Sequence, residues 1–97
     1  MNTKPEYSYA AMIGQAIYGS AKERLSLADI YTWVSTAYPY YKKGDAGWMN
    51  SIRHNLSLNK SFVKVPREAG DPPGKGMLWT IVPNGDKQLE NRGYWKK

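Results

Sequence analysis

At Asn59 the hydrophobic period of the chain changes, and this change limits the fold more than any other feature. Before Asn59, apolar residues recur at helical spacing in three blocks. After it they fall in short runs rich in β-branched and aromatic side chains. In the first block Tyr9, Met12, Ile13, Ala16 and Ile17 lie at i, i+3, i+4, i+7 and i+8 behind a capping Ser8, which predicts a helix over 8–18 ended by Gly19-Ser20. In the second, Ser26 and Asp29 form a capping-box-like pair and Leu25 is spaced to staple onto Ile30. Leu27, Ile30, Tyr31, Val34, Ala37 and Tyr38 make its apolar stripe and Pro39 stops it, giving a helix over 26–38. The third block, behind Asp45 as cap, predicts a helix over 45–58. Strands are predicted over 62–65 and 78–82, joined by a long, mobile basic loop over 66–76, and Arg24-Leu25-Ser26 suits a further short strand. The expected class is α+β, one domain over 1–97.

The third helix carries two chemistries. At about 100° per residue, Trp48, Met49, Ile52 and Leu56 share one arc, wide enough to anchor a helix on a core. The opposite arc presents Asn50, Arg53, His54 and Ser57, without the Glu or Lys that usually fill a solvated face. Asn matches the N6/N7 edge of adenine and Arg the O6/N7 edge of guanine, so these are side chains suited to reading bases in a major groove. The pattern alone is equally that of an ordinary surface helix. Asn55, beside the apolar arc, reads as a hydrogen-bonded structural residue.

Charge favours the first of these readings. The net charge is +6. Residues 1–41 hold three basic side chains (Lys4, Lys22, Arg24) and three acidic ones (Glu6, Glu23, Asp29), so the excess lies entirely in residues 42–97. A neutral scaffold followed by a basic half suits a polyanion-binding module, although a basic surface can also serve solubility. The absence of cysteine excludes disulfides, thiolate metal sites and cysteine nucleophiles. With one histidine and no readable pair of inward-pointing carboxylates, acid–base or nucleophilic catalysis is hard to assemble. No run approaches the roughly 20 apolar residues of a membrane span, and Met1–Pro5 lacks the apolar core of a signal peptide. Gly70-Asp71-Pro72-Pro73-Gly74-Lys75-Gly76 imitates a phosphate-binding P-loop, but it has three residues between Gly70 and Gly74 instead of four. Gly also replaces the Ser or Thr after its Lys, and a strand follows where a helix is needed.

The sequence resembles the forkhead, or winged-helix, DNA-binding domains of eukaryotic transcription factors from Lys4 to Lys97. The resemblance is carried by Lys4-Pro5-x-Tyr7-Ser8-Tyr9, Leu25-Ser26-Leu27-x-x-Ile30-Tyr31, Tyr38-Pro39-Tyr40-Tyr41 and the block Gly47-Trp48-x-Asn50-Ser51-Ile52-Arg53-His54-Asn55-Leu56-Ser57-Leu58-Asn59. Phe62-x-Lys64-Val65-Pro66-Arg67 and Pro73-Gly74-Lys75-Gly76-x-x-Trp79 continue it. Within the family, the Ala10-Ala11-Met12-Ile13 run and Gly76-Met77 look most like fungal cell-cycle factors.

The resemblance implies a three-helix bundle with a helix-turn-helix, a small antiparallel sheet and two wings, wing one over 66–76 and wing two over 83–97. It implies a non-enzymatic nuclear transcription regulator that binds double-stranded DNA as a monomer at an A/T-rich site like TAAACA. By position, Asn50, Arg53 and His54 would touch bases. Tyr9, Ser57, Lys75, Trp79, Arg92, Lys96 and Lys97 would touch the DNA backbone. No cofactor is required, although the backbone of Leu56, Ser57, Asn59 and Phe62 could hold a structural Mg²⁺ or monovalent cation. Two departures bear on wing one: an extra proline (Pro72-Pro73), and Leu78 in place of the aromatic residue usual before the Trp.

A docking module for a protein partner would expose Leu, Met or aromatics on the polar arc of the third helix, and a sequence-blind chromatin binder would expose lysines. The base-reading set argues against both. The tail, with Lys87, Arg92, Lys96 and Lys97 among few apolar residues, is expected to be an electrostatic arm that is poorly ordered in the free protein. Tyr94 and Trp95 could instead pack it back on the helices.

Overall fold

A computed structural model of the chain describes residues 3–82. The expectations for wing two and its residues Arg92, Lys96 and Lys97 lie outside them. The elements are α1 (Tyr9–Tyr18), β1 (Arg24–Leu25), α2 (Leu27–Ala37), α3 (Ala46–Leu58), β2 (Phe62–Val65) and β3 (Leu78–Ile81).

Each helix begins on a side-chain cap. Ser8 Oγ accepts from the N–H of Ala11 at 3.1 Å, Ser26 Oγ from Asp29 at 3.1 Å and Asp45 Oδ1 from Gly47 at 3.2 Å. Each bond satisfies one of the backbone donors that a helix start leaves free. The predicted ranges included these caps. At its other end α2 stops at Ala37, with Tyr38 as its C-cap ahead of Pro39. Similarly, β3 ends at Ile81, one residue short of the expected 82, although the N–H of Val82 still bonds to Ser61 O at 2.8 Å.

The three strands form one antiparallel sheet in the order β1-β3-β2. Arg24 lies opposite Thr80, and Lys64 opposite Trp79. The two-residue β1 is extended by a side-chain bond from Thr80 Oγ1 to Glu23 O at 2.8 Å. The sheet thus ties the entrance of α2 to the strands that follow α3.

The core lies between the helices and one face of the sheet. Met12, Ile13, Ile17, Ile30, Val34, Ile52, Leu56 and Leu78 are fully or almost fully buried, and Tyr41, Trp48 and Phe62 close its edges. Burial of each such aliphatic side chain is worth about 1.5–3 kcal/mol relative to exposure, which fixes α3 by its Trp48/Ile52/Leu56 arc. Two hydrogen bonds set its rotation, Trp48 Nε1 to Lys42 O at 2.8 Å and Tyr31 OH to Met49 O at 3.1 Å. The aromatic rings of Tyr31 and Tyr41 both pack against that of Trp48.

The buried stripe of α2 differs from expectation at its end. Ala37 is exposed, while Trp33 packs against the core. The reason is that Tyr38 folds back edge-on over Trp33, also meets Tyr7 and donates to Gln15 Oε1. That aromatic cluster covers the last turn on the Trp33 side. Leu78, the departure from the family pattern, is buried, yet by strand alternation it lies on the face opposite Trp79 and Ile81, the β3 residues that pack against the core cluster.

Candidate nucleic-acid interface

The burial that fixes α3 also decides which of its side chains face outward. Asn50, Arg53, His54 and Ser57 are all exposed, one turn after another on the face opposite the core. Arg53 Nη2 donates to Asn50 Oδ1 at 3.2 Å, so the two side chains with base-pairing geometry lie against each other. Ser57 Oγ donates to Arg53 O at 3.3 Å. Asn55 is half-buried and its amide donates to Ser51 O at 2.9 Å, a helix-internal bond that leaves it out of the reading face.

Two recesses flank this face. The smaller, about 380 Å³, is bounded by Tyr9 together with Asn50, Arg53 and His54. Tyr9 is half-buried, its ring 5.8 Å from that of Tyr41. Burial, with Tyr9 as a smaller contributor, pushes the Tyr41 phenol above its ordinary value, so the Tyr41 hydroxyl keeps its proton at physiological pH.

The larger recess, about 760 Å³, lies on the other side of α3, between it, the start of α2 and the loop after β2. It brings together Arg53, Ser57, Lys64, Lys75 and Trp79. Four of the sequence-predicted contact residues, Arg53, Ser57, Lys75 and Trp79, therefore share one groove, although they come from three separate stretches of chain. Lys64 was not singled out as a contact. Its ammonium stands 5.6 Å from the Trp79 ring centroid, held there by the cross-strand pairing of β2 and β3. Two-residue alternation from the buried Phe62 would have pointed Lys64 away from Val63, but only the strand register puts it opposite Trp79. Ser26 and Asp29 also line the groove, which places the start of α2, and one carboxylate, on its rim.

The loop over 66–76 departs from the expected mobile basic segment. It carries Arg67 and Lys75 but also Glu68 and Asp71. Arg24 Nη2 reaches Glu68 Oε1 at 2.9 Å and Asp71 Oδ2 at 3.1 Å, and Arg67 is bonded to backbone carbonyls of its own loop. The acidic pair thus engages a cation of β1, and Arg67, which also borders the groove, is tied to its own loop, so that Lys75 is the exposed basic residue left on the loop.

An exposed amide–guanidinium–imidazole arc on a packed helix, with a cation-lined groove beside it, is the geometry of a helix presented to a duplex. The family model for the Forkhead domain matches residues 3–90. The chain belongs to the forkhead family. Fork head protein homolog 2 of Schizosaccharomyces pombe is 60% identical over 82 residues, which cover 84% of this chain and 13% of that protein. Forkhead box protein I3-B of Danio rerio and Forkhead box protein I1 of Homo sapiens are each 51% identical over 94 residues. These cover 97% of this chain and 24% and 25% of those proteins. The chain thus spans a quarter or less of the length of these relatives. Forkhead domains are winged helices that bind double-stranded DNA and carry no enzymatic activity, and the three helices and antiparallel sheet described above follow that plan. Among the described residues of this forkhead domain, no cluster of His, Cys, Asp or Glu is set to hold a metal, and no helix is long and apolar enough to cross a membrane.

Proposed function

We propose that this forkhead domain is the sequence-reading part of a nuclear transcription factor and that, as a monomer and a single domain over 1–97, it binds an A/T-rich duplex site resembling TAAACA. Asn50, Arg53 and His54 of α3 read base edges in the major groove. The observation that carries this reading is the division of α3 itself. The buried Trp48, Ile52 and Leu56 leave Asn50, Arg53 and His54 fully presented on the opposite face. The Arg53–Asn50 bond sets the two readers side by side; the Arg53 guanidinium offers donors, and the Asn50 amide a donor and an acceptor, to match those of a base.

Phosphates flank the reading helix. Tyr9 on one side, and Ser57, Lys75 and Trp79 on the other, bind the DNA backbone, and Lys64 adds a further cation in the same groove. Arg92, Lys96 and Lys97 of wing two, with Lys87, add electrostatic contacts, which position the domain without specifying sequence. A structural Mg²⁺ or monovalent cation fits the end of α3. Among the described residues no donor is bonded to the carbonyls of Leu56 and Ser57, which lie at the negative end of the helix dipole. Neutral oxygen donors of this kind suit hard cations. Asn59 O, in contrast, already accepts from the N–H of Phe62 at 3.2 Å.

Selection of binding sites from random duplexes tests the reading. The expected outcome is an A/T-rich consensus containing a TAAACA-like core. Enrichment of no sequence, with binding that depends on salt alone, would reduce the domain to a non-specific polyanion binder.

A further inference from the structure

The imitation of a P-loop over Gly70–Gly76 cradles no nucleotide phosphate, and the structure shows what its residues Pro72–Gly76 enclose instead. The Arg67 guanidinium sits inside their turn. Nε donates to Gly76 O at 3.1 Å, Nη1 to Pro72 O at 2.8 Å and Nη2 to Lys75 O at 3.0 Å. The loop closes tightly on it. A Cβ at Gly74 would lie 2.8 Å from Arg67 Nη2, and Gly76 takes a φ of 84°, a backbone region that glycine enters without steric cost. A planar fork spreads its donors over three nitrogens and reaches three carbonyls set around it, whereas the three donors of an ammonium diverge from one atom and cannot span the same set. The other end of the loop is held independently. The Arg24 pair with Glu68 and Asp71 is reinforced by the Glu68 N–H donating to Asp71 Oδ2 at 2.7 Å.

We infer that Arg67 is a positioning residue for DNA binding and not a phosphate ligand: by gathering the carbonyls of Pro72, Lys75 and Gly76 it sets the loop so that the Lys75 ammonium faces the groove beside α3. The inference rests on the proposed phosphate contact of Lys75. It assigns the neighbouring arginine, which charge counting alone would also place on the DNA, to the loop's own framework. Three of its N–H groups are committed to carbonyls. Moving the guanidinium to a phosphate would release all three and open the turn that presents Lys75.

The test compares wild type, Arg67→Ala, Arg67→Lys, Lys75→Ala and the Arg67→Lys/Lys75→Ala double variant by titration onto the selected duplex at several salt concentrations. Each phosphate neutralised contributes about 0.9 to the slope of log K against log salt. The expected result is that Arg67→Lys, which keeps the charge, flattens the slope by about 0.9 just as Arg67→Ala and Lys75→Ala do. All three should lose affinity by a similar factor, and adding Lys75→Ala to Arg67→Lys should change nothing further. The ratio of specific to random-duplex affinity should stay at its wild-type value in every variant, which a merely unfolded protein would not show. An Arg67→Lys slope equal to wild type makes Arg67 a phosphate ligand and overturns the inference. So does an additive double variant, a lost specificity ratio, or a Lys75→Ala protein with the wild-type slope. A wild-type protein that prefers no duplex overturns both this inference and the proposed function.

Discussion

Helix α3 and the loop over 66–76 both face the proposed DNA, but opposite physics holds them there. The helix is fixed from behind: Trp48, Ile52 and Leu56 are buried, and among the described residues its outward side chains are bonded only to each other and to their own backbone. The loop has little apolar anchorage along its length and is held by two arginines, one to carboxylates and one to carbonyls. Burial is non-directional and insensitive to salt, so it can fix a rigid element and leave a whole face free for chemistry. A polar framework consumes the charges that could otherwise meet a phosphate, and exposed ion pairs weaken as salt rises. A base-reading surface that needs sub-ångström placement is therefore built on the helix. A phosphate-positioning arm tolerates the softer support.

The comparison is most severely tested from the buried side. Ile52→Ala empties a fully buried site and is expected to cost about 2–5 kcal/mol of global stability, measured by chemical denaturation. A loss no larger than that from changes in the loop would mean that α3 is not held by its apolar arc. Next comes the face that burial leaves free. Asn50→Ala is expected to lose about 1–3 kcal/mol on the selected site while random-duplex binding is nearly unaltered. Equal losses on both DNAs in a competition titration would remove Asn50 from the base-reading set.

On the loop side, Gly74→Ala drives a Cβ into the Arg67 fork without touching a core atom. Because Gly74 has a φ of 156°, at which a side chain is strained, thermal stability should fall, though by less than in Ile52→Ala, and binding should lose about one phosphate's share of the salt slope, roughly 0.9. A wild-type slope would show that the loop presents Lys75 without the fork. The smallest effect concerns Asp71. The Glu68 N–H first, then the neighbouring Arg24, hold its carboxyl below the usual carboxylate range, against the opposing effect of burial. A depressed folded-state pKa means that its contribution is fully present above the unfolded value of about 3.9 and is lost as pH falls through the folded value. The anchor should thus be intact at neutral pH and released only in acid. In an NMR titration the Glu68 amide should shift with a midpoint below that of an unfolded aspartate, and the shift should disappear in Asp71→Asn. A midpoint at or above the ordinary value would show that the clamp contributes nothing.

The residues on the two faces of α3 were legible in the sequence because helical period places them without reference to anything distant. Ser8, Ser26 and Asp45 were legible as caps for the same reason: each bonds to a backbone N–H two or three residues away. Trp33 was missed because its burial depends on Tyr38 and Tyr7, which arrive from outside its helix. Arg67 and Lys75 looked alike as cations in one loop, and composition could not tell the inward-turned one from the outward.

By itself the sequence determined three helices, the three strands and the polar face of α3, since these follow from local periods, caps and the order in which apolar residues recur. The family resemblance supplied the proposed contacts on either side of that face. Only the tertiary structure decided that Arg53, Ser57, Lys64, Lys75 and Trp79 share one groove, that β3 lies between β1 and β2, and that Arg24 is spent on Glu68 and Asp71 across 44 and 47 residues of chain. Such partners meet only when the core has closed and the strand register is set. Which charges neutralise each other and which remain for DNA is therefore a property of the packed chain and not of its order of residues.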